Sequence, residues 1–319
     1  MSHYNHFTTE EREQSRALLS QGCSIREIAR RLCRAASSVS RELRRNAYAN
    51  GSYAAFHADK LYRKRRLNCG RRPLLNHADL RQYVLERLEW RWTPEQIAGR
   101  AKLEKQAFSI SFVTIYRAID SGVLPPQLKK IMRFKWKHKK CKGEDKRGKI
   151  PDTRSIHERP AGAENRSRFG HWESDTVLGQ RKTGCLGTHV ERKSGYLLAF
   201  RIHDRQDNAF NLATIRAFSG IPEKLRKSFT VDNGKEFCAH KELTAATGMP
   251  VFFCDPYSPW QRGTNENTNG LLRQFFPKGT SFAGISNESL QHIVWLINNR
   301  PRKRLGFRTP AELLEKFFS

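Results

Sequence analysis

The sequence lacks any apolar run approaching the roughly 18–20 residues of a membrane helix, and its opening MSHYNHFTTEEREQ lacks the roughly 7–15 apolar residues of a signal peptide. Membrane insertion and secretion are therefore not expected, and a cytoplasmic protein is. Cysteine is sparse and unpatterned: Cys23, Cys33, Cys69, Cys141, Cys185, Cys238 and Cys254 are odd in number and include no Cys-x-x-Cys pair. Neither a disulfide framework nor a structural zinc site is expected, since His138 with Cys141 and Cys238 with His240 have no second pair at ligand spacing. Acidic residues are scarce too, 31 against 59 Lys and Arg, which leaves a formal charge of +28. Such an excess repels itself unless a polyanion accompanies it, and nucleic acid is the natural partner.

What is present suits packed cores: 38% of residues are hydrophobic and six are Trp. A chain of 319 residues exceeds the size of most single cores, so several domains are expected. Charge is uneven, with 36 basic and 17 acidic residues up to position 165 and 23 and 14 beyond it. The front part is expected to carry most phosphate binding. The pattern divides into a helix-turn-helix domain over 1–50, a basic helix or linker over 51–80 and a second helix-turn-helix over 81–125. A basic inter-domain arm over 126–165 and an α/β domain over 166–319 follow.

Thr8 with Glu11 forms a capping box for the first helix, which stops at Gly22, and Ser24 with Glu27 opens the second. In SIREIARRL, Ile25, Ile28, Ala29 and Leu32 recur at helical spacing and predict a buried stripe. The third helix, SSVSRELRRN, buries Val39 and Leu43 and turns Ser37, Ser38, Ser40, Arg41, Arg44 and Arg45 outward. That is the pattern of a recognition helix, small hydroxyls approaching phosphates and Arg forking onto guanine. A second pair opens at Thr93 with Gln96 and at Ser111, with Phe112, Ile115 and Ile119 as its buried stripe. Thr114, Tyr116 and Arg117 are then available to DNA. A plain helical bundle and hairpin with solvated basic faces is the alternative for both.

Beyond Asn165 the texture becomes strand-like: HWESDTVLG, CLGTHVERK and GYLLAFRI, a helix from about 208 to 218, SFTVDNG, a helix over KEFCAHKELTAAT, and PVFFC. This order predicts an α/β domain with a mixed sheet. Asp175 lies in the first strand, and Asp232 closes the fourth, where α/β sheets place their active sites. Glu266 follows the loop DPYSPWQRG on a helix reading TNENTNGLLRQFF. Three carboxylates from separate elements suit a hard cation such as Mg²⁺, which takes oxygen ligands and serves phosphoryl transfer. Singly, each acid is as readily a strand-face polar residue, an N-cap or a surface residue. Glu173 is expected on the same strand face as Asp175. Arg273, about two turns after Glu266, shares its helix face. Tyr257 and Trp260 either stack on an unpaired base or plug their own loop.

These blocks resemble a known family. SIREIARRL…SSVSRELRRN, TPEQIAGRA, GHWESDTVLG, TVDNGKEF and YSPWQRGTNENTNGLLRQFFPKGT are similar to those of bacterial insertion-sequence transposases of the IS-thirty family, with an Asp-Asp-Glu active site. The closing NNRPRKRLGFRTPAELL is similar to a tail shared with related transposases and retroviral-type integrases. The resemblance implies a ribonuclease-H-like catalytic domain preceded by an all-α helix-turn-helix region. It implies Asp175, Asp232 and Glu266 as metal-binding acids, with 33 residues between the last two. It further implies Mg²⁺, with Mn²⁺ as a substitute, inverted-repeat DNA as substrate, Arg273 at a DNA-contacting position and a homo-oligomer that brings two DNA ends together. A DNA-binding regulator without catalysis and a metal-dependent nuclease that does not join strands are the competing readings.

Overall fold

The computed structural model describes residues 5–69, 73–131, 150–181, 183–202 and 208–318. Residues 132–149 of the expected basic arm lie outside them. The chain divides into two units, 1–73 and 74–319.

In the first unit, α1 (Thr9–Ser20), α2 (Ile25–Arg31), α3 (Ala36–Asn46) and α4 (Ala55–Leu67) surround a small core of Phe7, Ile28, Ala29, Leu32 and Val39. The capping box at Thr8 is formed in both directions, at 2.8 and 3.1 Å. Ile25, expected in the buried stripe, is instead 40% exposed. It is the first residue of α2, where the stripe has not yet turned toward the core. Arg12 is fully buried and reaches Glu42 on α3 at 2.8 Å and Asp59 on α4 at 3.1 Å. One guanidinium thus ties three helices, and α4 is docked by charge as well as by Ala55 and Ala58.

The second unit begins with α5 (Ala78–Glu89), α6 (Pro94–Leu103), α7 (Phe112–Asp120) and α8 (Leu128–Ile131) around Leu80, Val84, Leu88, Ile97, Ile115 and Ile119. Phe112 does not join that core. It is 44% exposed, again as the residue directly after an N-cap, and Ala118 takes the buried position instead.

Then come β1 (Arg154–Ser155), α9 (Ala161–Glu164), β2 (His171–Leu178), β3 (Cys185–Glu191), β4 (Leu197–Ile202), α10 (Ala209–Ser219), β5 (Ser228–Val231), α11 (His240–Thr247) and β6 (Val251–Phe253), followed by α12 (Gly263–Phe275), α13 (Asn287–Asn298) and α14 (Pro310–Phe318). The sheet order is β1-β6-β5-β2-β3-β4. Strands β2, β3 and β4 are antiparallel, while β5, β6 and β1 run parallel to β2. The mixed sheet expected from the strand runs is present, and β1 extends it. Alternation along β2 separates two faces. Trp172 joins the core under α10 with Phe210, Phe218 and Phe229, and Val177 joins the core under α12 and α13 with Leu271, Leu272 and Val294. Glu173 and Asp175 share Val177's face and therefore look toward α12.

The carboxyl-terminal tail packs on the α5–α7 helices. Gln96 donates to the Pro301 carbonyl at 2.8 Å and accepts from Arg300 at 2.9 Å, and Arg100 forks onto Glu312. A Cβ at Gly99 would overlap the Phe307 ring, so the close approach requires glycine there. Among the described residues no helix is long and apolar enough to cross a membrane.

Candidate active site

Asp175 sits in β2, and Asp232 is the residue after β5, so the two carboxylates meet where neighbouring strands open toward α12. Arg262, in the short turn before α12, lies between them. Its Nη2 donates to Asp232 Oδ2 at 2.9 Å, and its Nη1 stands 3.4 Å from Asp175 Oδ1 and donates to the Ser174 carbonyl at 3.0 Å. Asp175 also accepts from the Thr176 N–H at 2.9 Å and from Asn269 of α12 at 3.0 Å. Asp232 accepts from the Gly234 N–H at 2.9 Å. Burial pushes the Asp175 carboxyl above its ordinary range, Arg262 pulls it back and the Asp232 charge adds to the rise. Burial weakens the Arg262 charge, but Asp175 and Asp232 outweigh it and hold the guanidinium above its usual value.

Glu266 occupies the first turn of α12, one turn from Asn269, which touches Asp175. Its carboxylate is exposed and makes no hydrogen bond or ion pair among the described residues. The structure thus joins Asp175 with Asp232 and leaves Glu266 outside. No group of three or more His, Cys, Asp or Glu side chains among the described residues is spaced to hold a metal ion.

Glu173 shares the strand face of Asp175 but is fully buried and otherwise engaged. One oxygen pairs with Arg192, and the other accepts the Asn265 N–H at 2.7 Å, while Asn265 Nδ2 donates to the Glu173 carbonyl at 2.9 Å. The carboxylate thereby satisfies an orphan donor in the first turn of α12 and fixes that helix against β2. Its role is to position, and Arg192, which completes the clamp, carries no motif signal beyond its place in CLGTHVERK.

Glu236 went unmarked in the sequence although it stands inside TVDNGKEF. It accepts from Thr176 Oγ1 at 2.8 Å. A Cβ built on Gly234 would lie 2.6 Å from Glu236 Oε2 and 2.8 Å from Asp232 Oδ1, so glycine lets these two carboxylates crowd together.

Arg273 is half-buried and reaches two backbone carbonyls. Its Nη2 donates to the Leu178 carbonyl at 2.7 Å, and Nη1 stands 3.5 Å from that of Phe276. In α3, Ser37, Arg41, Arg44 and Arg45 are exposed and Ser38 and Ser40 half-buried; Arg41 donates only to the Ser37 carbonyl, at 3.1 Å. In α7, Tyr116 and Arg117 are exposed, and the half-buried Thr114 shares a hydroxyl contact with Ser111 at 2.9 Å. These side chains line one exposed surface on each helix.

Comparison with known proteins adds two family models and a set of relatives. A helix-turn-helix domain model matches residues 3–46, and an integrase core domain model matches residues 165–259, ending before Glu266. The chain is 41% identical to "Transposase InsI for insertion sequence element IS30C" of Escherichia coli (strain K12), the alignment covering 98% of this chain and 84% of that one. It is 40% identical to "Transposase for insertion sequence element IS1086" of Cupriavidus metallidurans, over 98% and 94%. Against "Transposase for insertion sequence element IS4351" of Bacteroides fragilis the identity is 35%, over 98% and 97%.

Proposed function

Because this chain belongs to the IS30 family of insertion-sequence transposases, with a helix-turn-helix region ahead of a ribonuclease-H-like integrase core, we propose that it binds the terminal inverted repeats of its own element and there cuts and joins DNA strands. The observation that carries this reading is the convergence of Asp175 and Asp232 on one guanidinium. Two carboxylates from adjacent strands demand positive charge between them, and in this structure Arg262 supplies it. The donor set, all oxygen and half-buried, suits a hard divalent cation in the same place, so the residues fit Mg²⁺ or Mn²⁺.

Asp175 and Asp232 would hold the cation, and Glu266, exposed in the first turn of α12, would supply a third carboxylate. When bound, the cation supplies activation of the attacking oxygen and stabilisation of the leaving one. Arg262, which neutralises both aspartates in this structure, would compete with such a cation for them. Glu173, Arg192 and Asn265 fix α12, the helix that carries Glu266, against β2. The attacking group is first water and then the freed 3′-hydroxyl, with no covalent protein nucleophile. Repeat recognition falls to Ser37, Ser38, Ser40, Arg41, Arg44 and Arg45, with Thr114, Tyr116 and Arg117 as a second contact surface. The protein works in the cytoplasm on the nucleoid, as a homo-oligomer on paired element ends.

The deciding experiment incubates the full chain with labelled terminal-repeat DNA and Mg²⁺. Joined products support the transposase, nicks without joining the nuclease, and binding without either the regulator.

A further inference from the structure

A cavity of about 750 Å³ opens between the segment from Ile156 to Arg166 and the loop that carries Trp260 and Gln261. Three guanidiniums line it. Arg192 is committed to Glu173 and to the carbonyls of Ala163, at 2.8 Å, and Gln261, at 3.3 Å. Arg159 is committed to Glu164 and to Thr230 Oγ1, at 3.3 Å, yet its buried Nε lacks a partner. Arg166 is exposed, held by a positive φ of 56°, and makes no ion pair among the described residues. Glu164 and Glu173 balance two of the three charges, so the lining keeps a net positive charge.

The opposite rim is aromatic. Trp260 is 74% exposed, although an indole in water forfeits the burial that favours most Trp side chains. Its neighbour holds the loop still: Gln261 accepts from the Asp255 N–H at 2.8 Å and donates to the Asp255 carboxylate at 2.7 Å, and His157 closes on the same carboxylate at 2.9 Å. A held, exposed indole and an exposed guanidinium that line one cavity match a flat heterocycle joined to a phosphate. Trp260 is two residues from Arg262, which touches both aspartates. An occupant stacked on Trp260 would sit against the same short turn of chain that presents Arg262 to the two aspartates.

We propose that this cavity receives one unpaired nucleotide of the DNA strand being cut, its base stacked on Trp260 and its phosphate against Arg166. The inference rests on the DNA-cutting activity given above. A base drawn out of the duplex frees its neighbouring phosphate to approach the acids, and stacking on Trp260 offsets the loss of pairing.

The test uses the full chain with wild-type Trp260, Trp260→Ala, Trp260→Phe and Arg166→Ala. Each is given terminal-repeat duplexes that are intact or carry one abasic site at successive positions flanking the cleavage point. Trp260→Ala is expected to cut intact DNA about tenfold or more slowly at unchanged binding, in line with the value of one base–aromatic stack. Trp260→Phe keeps most of the rate, and one abasic position restores Trp260→Ala because no base remains to be drawn out. Arg166→Ala slows intact and abasic DNA alike. Wild-type cutting by Trp260→Ala, or a defect that no abasic position relieves, overturns the cavity's role. Absence of cutting by wild-type protein on every substrate would overturn the cavity's role together with the transposase reading.

Discussion

The helix-turn-helix of the first unit and the acid site of the second are both motif-rich, yet they are held together by contacts of different range. In α3 the Arg41 side chain bonds a carbonyl four residues away, and the caps at Thr8 and Ser24 act across three. At the acid site Arg262 bonds Ser174 from 88 residues away, Asn265 bonds Glu173 from 92, and Asn269 bonds Asp175 from 94. The helix α3 thus draws on short-range contacts and on the Arg12 tie, which spans 30 residues to Glu42, and offers its remaining side chains outward. The acid pair proposed as catalytic depends on partners brought in by the sheet and by α12, so chemistry and stability are separable at the two places in opposite ways.

The largest expected effect tests that separation. Asp232→Asn should lower cleavage by about a thousandfold, ~4 kcal/mol of barrier, while repeat binding in a gel-shift measurement stays near wild type. Calcium should permit the same binding without chemistry. Cleavage at wild-type rate would remove Asp232 from the site. Glu173→Ala should act on the fold instead. It leaves Arg192 buried without its carboxylate and α12 without an acceptor, at a cost of about 3–5 kcal/mol. For a unit of this size that is a loss of about 10 °C in Tm. A Tm within a degree of wild type would mean that the clamp contributes nothing.

The same difference in range explains what could be read without the structure. The helix starts at Thr8, Ser24, Thr93 and Ser111 were legible because a cap and its partner lie within one turn. The stripes were legible except at their first residues, Ile25 and Phe112, since a period of about 3.6 gives a direction but not the point where the core begins. The strand-end acids stood out because Asp232 closes a strand before Asn-Gly. Arg262 did not, as one Arg among 59 basic residues has no local mark that separates an internal counter-charge from a solvated one. Glu173 was placed on the right face, but its engagement depends on Arg192 after β3 and Asn265 on α12, and no local pattern links those three. Strand β1, two residues long, is too short for alternation to show.

A smaller effect is expected at the locally built site. Arg44→Ala should cost about 1–3 kcal/mol against the cognate repeat if the guanidinium forks onto a guanine, with little change on random DNA. A phosphate contact would weaken every sequence alike and reduce the slope of log affinity against log salt by about 0.9. Thermal stability should stay within about 0.5 kcal/mol, because Arg44 is exposed and the unit's core does not include it. A large loss of Tm would break the comparison by making the recognition surface part of the fold.

The smallest effect concerns Arg262 itself. In the protein as folded, a divalent cation must displace one charge-assisted bond from Asp175 or Asp232, a bond of about 1.5–3 kcal/mol. Arg262→Gln removes that competitor and leaves the two carboxylates facing each other without a counter-charge. Two consequences follow with opposite signs: without cation the variant should melt below wild type, and with Mg²⁺ or Ca²⁺ its Tm should rise by more. A tenfold tighter apparent affinity, ~1.4 kcal/mol, is the expected size, read by calorimetric titration as well as by the Tm shift. The readout needs no DNA and no turnover, so it separates cation binding from every later step. Equal or weaker cation binding in Arg262→Gln would mean that Arg262 helps to orient the aspartates for the ion, and the guanidinium would then have to remain within the loaded site.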